Sequence, residues 1–150
     1  MKKLVRGQSL FELVLAIAIS ALIIVAIVSL ATLSIRNSSF SKNKALAATY
    51  AQEATEWLRG QRDSDIDAFI LHATTPSCLQ DLGWTHPAVN PASDCTDRIS
   101  GTTFNRWVTF DETVQGGKTI VEADVVVSWM DSQGVHEVKN ATNFSDWRQR

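Results

Sequence analysis

"GQSLFELVLAIAIS", residues 7–20, opens an apolar run and interrupts it almost at once. Leu10 and Phe11 are apolar, Glu12 is charged, and from Leu13 to Ile35 the chain carries no charge, no Gly and no Pro. A helix rises about 1.5 Å per residue, so 13–35 spans about 35 Å against a bilayer hydrocarbon core of about 30 Å. A carboxylate at the centre of a bilayer costs roughly 2.5–3.5 kcal/mol on insertion scales. A segment that only anchors has no use for Glu12.

The chain has 150 residues and a net charge of −2, which hides an asymmetry. Lys2, Lys3 and Arg6 lie in the first seven residues, and every Asp and Glu lies after them. The basic start holds the N-terminus on the cytoplasmic side, so the body after Arg36 is exported. That body is acidic, which argues against a nucleic-acid partner held by clustered Lys and Arg. A secretory signal peptide fits the basic start, and Ser29-Leu30-Ala31 passes as a cleavage site. However, such peptides have an apolar region of only about 7–15 residues. A plain signal anchor explains the length and orientation, but neither Gly7 nor Glu12.

The stretch K-K-x-x-R-G-Q-S-L-F-E-L resembles the prepilin signal of type IV pilins and pseudopilins. The family pattern is a short basic leader, a Gly, a cut just after it, a Glu at the fifth mature position and about twenty apolar residues. The resemblance covers residues 1 to about 35. It implies cleavage between Gly7 and Gln8 by a prepilin peptidase, and N-methylation of Gln8. The family usually has Phe or Met at that first mature position, and this chain has Gln8. The resemblance also implies an assembly role for Glu12. The new amino terminus of one subunit and Glu12 of its neighbour would pair in a filament core with little water. Such a pair serves register more than net stability.

Beyond the membrane segment, "RNSSFSKNK", residues 36–44, brings polarity and the cations Arg36, Lys42 and Lys44. In 45–63, Leu46, Tyr50, Ala54, Trp57 and Leu58 recur at helical spacing and predict one apolar stripe, with Gln52, Glu53, Glu56 and Arg59 opposite. Core packing is the main use expected of the stripe; Ala45, Ala48 and Thr49 are small enough for a subunit contact. Gly60 reads as the helix stop. Residues 104–113 and 118–130 alternate as strands around a turn at Gly116–Gly117, and 135–144 is a weaker third strand after the turn 131–134. Short connections predict an antiparallel meander.

The expected fold class is therefore α+β. A long N-terminal helix, membrane-spanning in its first half and amphipathic in its second, packs on a small antiparallel sheet, as in pilins. The expected organisation is a leader at 1–7, the helix at 8–60 with its span at 13–35, a variable loop region at 61–103, and the sheet and tail at 104–150.

The middle region holds Pro76, Pro87 and Pro91, and the cysteines Cys78 and Cys95. In an exported body these two would form a disulfide worth roughly 3 kcal/mol in the chain-entropy model. Free thiols are one alternative. Zinc on His72, Cys78, His86 and Cys95 is another, with irregular spacing and no C-x-x-C pair. Asp63, Asp65 and Asp67 begin like a calcium loop, but Ala68 stands at its Gly and Thr74 at its Glu, so they read as a solvated acidic turn. His72, His86 and His136 are scattered, and no nucleophile elbow, phosphate loop or paired-carboxylate spacing appears. No metal, cofactor or enzymatic activity is expected.

The resemblance implies a structural subunit, a minor pilin, held in the cytoplasmic membrane before assembly and in an extracellular filament afterwards. Its expected partners are other pilin subunits, the prepilin peptidase and the membrane assembly platform. The alternatives are a pseudopilin of type II secretion and, from another class, a membrane-anchored extracytoplasmic binding module.

Overall fold

The computed structural model describes residues 10–115 and 118–145. The leader with Gly7 and Gln8, the Gly116–Gly117 turn and the tail after Ser145 lie outside them. The chain divides into two compact units, Met1–Ser41 and Lys42–Arg150. Helix α1, Leu10–Ser64, contributes its first part to one and its last part to the other.

In the second unit four antiparallel strands lie in the order β1-β2-β3-β4. They are β1 (Ser77–Cys78), β2 (Asn105–Gln115), β3 (Lys118–Asp131) and β4 (Gly134–Ser145). The expected meander is present, and the weaker third strand is a full partner. β3 and β4 stay in unbroken register from Ile120↔Ser145 to Asp131↔Gly134. Their turn is built by Asp131, whose Oδ1 accepts from the Gln133 N–H at 2.7 Å, and by Gly134 at φ +122, where a side chain would be strained.

Alternation sends Phe104, Arg106, Val108, Val121, Ala123, Val125, Val127, Trp129 and Phe144 to one buried face. The helix that covers this face is rotated from the expected stripe. Ala47, Ala51, Ala54, Thr55 and Leu58 are buried, whereas Leu46 is exposed and Tyr50 and Trp57 are half-buried. The reason is steric. Small residues let the helix backbone approach a sheet face of large side chains. Tyr50 and Trp57 then flank the contact and reach sideways, Tyr50 to Phe104 at 5.4 Å and Trp57 to Trp84 at 4.8 Å between ring centroids. Thr55 Oγ1 donates to the Ala51 carbonyl and accepts from Asn140 Nδ2 at 3.1 Å, a polar stitch between helix and β4.

Helix α1 also passes through Gly60 and ends at Ser64. Tertiary contacts past the glycine hold the last turn. The Arg62 guanidinium lies 5.6 Å from the centroid of the Phe144 ring, and Gln61 Oε1 accepts from Trp84 Nε1 at 3.3 Å. A Cβ at Gly60 would meet nothing within 4 Å. Gly60→Ala should therefore stabilise the protein by about 0.5–1 kcal/mol, read as a raised urea midpoint. A lowered midpoint would show that residue 60 is not helical.

The segment read as loop at 61–103 contains more structure than expected. Asp65 closes α1 and caps a second helix, α2 (Ile66–His72), accepting from the N–H groups of Asp67 and Ala68. Phe69 of α2 is buried against Phe144, Phe110 and Trp84. After β1 comes a single turn, α3 (Pro91–Asp94), with Pro91 at its start. The opposite sheet face is covered beside β1 by this segment, where Cys78, Ala88, Cys95, Trp107 and Val126 form a second small core.

Candidate functional site

From Leu10 to Ile35 every residue of α1 is exposed, with Leu22 at 72% and Leu30 at 67%. An apolar surface around the whole helix needs lipid or other helices to cover it. Three hydroxyls in this stretch are satisfied within the helix. Ser20, Ser29 and Thr32 donate to the carbonyls of Ala16, Val25 and Val28 at 2.8–2.9 Å. This helix is long and apolar enough to cross a membrane and lies near the N-terminus. Glu12 sits exposed in its first turn, where backbone N–H groups favour an anion.

In the second unit Cys78 and Cys95 form a disulfide, with Cα atoms 5.3 Å apart. Both thiolates that a zinc site would use are consumed. His72 stacks on Trp84, with centroids 4.8 Å apart, and His86 Nε2 lies 3.9 Å from Asp81 Oδ2. Among the described residues no group of three or more His, Cys, Asp and Glu is placed to hold a metal ion. The acidic turn is divided among local tasks: Asp63 accepts from Arg62, Asp65 caps α2, and Asp67 lies in the first turn of α2. His136 Nε2 is 2.9 Å from Asp131 Oδ1, at the β3–β4 turn.

A cleft of about 320 Å³ opens beside the disulfide, lined by Gln80, Thr85, His86, Asp94 and Asp97. Asp94 is held below the usual carboxylate range, chiefly by the Asn90 N–H and then by the Ser93 hydroxyl. Its carboxylate is thus occupied with shaping the 89–94 turn. Asp131 is lowered likewise, by the Gln133 N–H and then by His136. Lys139 is raised by its bond to Asp124. Each of these charges has a structural partner.

The structurally central residue of the body that sequence reasoning passed over is Arg106. It is 2% exposed. Its Nε donates to the Leu79 carbonyl at 2.9 Å, and Nη1 donates to the Tyr50 carbonyl at 2.9 Å and to Glu53 Oε2 at 2.8 Å. In return the Leu79 N–H donates to the Arg106 carbonyl. One side chain thereby ties helix, strand and the disulfide-bearing segment together. The available signal was a charge alternating in phase with Phe104, Val108 and Phe110.

Comparison with protein-family models, with curated proteins and with solved structures finds no match for this chain.

Proposed function

We propose that this chain is a structural subunit, a minor pilin, of a type IV pilus or related filament. The observation that carries the reading is Glu12, the one charge in the wholly exposed apolar stretch Leu10–Ile35 of α1, five residues after Gly7. The peptidase removes 1–7, the helix stores the subunit in the cytoplasmic membrane, and the assembly platform extracts it. In the filament the helix exchanges lipid for the helices of neighbouring subunits. Glu12 then accepts the neighbour's new amino terminus, and this pair fixes the axial offset. The α+β body, closed by its disulfide, is carried outside the membrane.

Glu12→Ala tests this. The variant should insert and be cleaved normally, while its share in sheared surface filaments falls at least tenfold. Normal incorporation would remove Glu12 from assembly.

A further inference from the structure

Arg106 uses only part of its hydrogen-bonding capacity. Nε and Nη1 serve the Leu79 and Tyr50 carbonyls and Glu53. Nη2, the other arm of the fork, makes no hydrogen bond among the described residues. Buried donors are nearly always satisfied, and this guanidinium is 2% exposed. Arg106 lines a pocket of about 290 Å³ bounded by α1 and by the 80–82 and 99–100 segments.

Gln80 lines the same pocket, and its Oε1 is buried with no hydrogen-bond partner among the described residues. A half-turn of the amide exchanges its two ends, so it can offer the pocket an acceptor or a donor. Glu53 and Asp81, both exposed carboxylates, also line it. Tyr50, Leu82 and Ile99, each half-buried, add apolar surface. Leu82 is the one non-glycine residue at positive φ among the described residues, at +52. A bulky side chain is uncommon there and is held by its surroundings.

These groups define a ligand by elimination. An anion is attracted by Arg106 but repelled by Glu53 and Asp81, which outnumber the one cation in the lining. A cation meets the buried guanidinium. A purely apolar ligand leaves Nη2 and the Gln80 amide as orphaned as before. The remaining class is neutral and carries groups that both donate and accept. Hydroxyls do both. A sugar ring carries several around its edge and presents C–H surface on its faces. One ring suits a pocket near the lower limit for small-molecule sites, roughly 300 Å³. A peptide amide has one donor edge and one acceptor, too few for Arg106, Gln80, Glu53 and Asp81 together.

We infer that this pocket binds a neutral sugar unit. Arg106 Nη2 donates to one hydroxyl, Gln80 and Glu53 accept from others, and Leu82 and Ile99 meet the C–H surface. The inference concerns the body alone and does not depend on how the N-terminal helix is used.

The test holds the full-length chain in micelles of a detergent without a sugar headgroup. Saturation-transfer NMR is recorded with the methyl glycosides of glucose, galactose, mannose and N-acetylglucosamine. At least one should receive saturation from the protein. Arg106 is unsuited to substitution here, because its loss unsettles the fold. Gln80→Leu removes the unsatisfied amide and should weaken binding at least tenfold at unchanged Tm. Ser100→Trp, an exposed change in the pocket lining, should abolish binding by filling the pocket. Glucuronate and the amide of N-acetylglutamine serve as anionic and peptide-like probes, and neither should displace the bound glycoside. The proposal is overturned if no neutral glycoside binds, or if binding survives either substitution in folded protein. Displacement by glucuronate would assign the pocket to anions, and displacement by the glutamine amide to a polypeptide; either result overturns it too.

Discussion

Arg106→Met is expected to lower the unfolding free energy of the body by about 3–5 kcal/mol. The methionine fills most of the volume but cannot donate. The Leu79 and Tyr50 carbonyls each lose a charged donor, at roughly 1.5–3 kcal/mol per bond. The ion pair with Glu53 adds little, because the Glu53 side chain is 51% exposed and water takes it back. The partner change Glu53→Gln should therefore cost less than about 1 kcal/mol. Urea unfolding of the two variants in detergent separates these terms. Equal losses would mean that the ion pair, not the carbonyl bonds, holds the helix to the sheet.

The second large effect is expected from the disulfide. Cys78 and Cys95 are 17 positions apart, and closing a loop of that size stabilises by roughly 3 kcal/mol in the chain-entropy model. For a body of about 100 residues, that corresponds to a loss on the order of 10–20 °C in Tm for the Cys78→Ser/Cys95→Ser variant. Without the bond the segment would be held by its two strand residues, the turn of α3, the small core around Trp107 and Val126, the Arg106–Leu79 bonds and the packing of Trp84. An unchanged Tm would show that the segment is held without the bond.

The parts of the fold legible in the sequence are those with a strong period. The Leu13–Ile35 run and the alternation through Trp107 and Val125 needed only hydropathy and spacing. The helix register did not yield to the same rule. Large apolar residues at 46, 50 and 57 outvoted Ala47 and Ala51, although close packing on a sheet favours small side chains. Gly60 has helix-stopping propensity, but the Arg62 and Gln61 contacts override it, and those are visible only once β4 and Trp84 are in place. The pairing of Ser77 with Val108 is a long-range bond between a two-residue strand and a distant one, and such short strands leave no period to read.

In the candidate site, Glu12 was legible because a charge stands out in an apolar run. Arg106 was not, because a charge in a strand reads as solvent-facing unless its partners are known. Those partners are backbone carbonyls at residues 50 and 79, which no side-chain pattern announces.

The central claim is that the N-terminal helix is an assembly element rather than a tether. It is tested most directly by sequencing the N-terminus of the protein recovered from sheared surface filaments. The account predicts that the first residue is Gln8, with Glu12 fifth. A chain that still begins at Met1 and stays in the membrane fraction would contradict it.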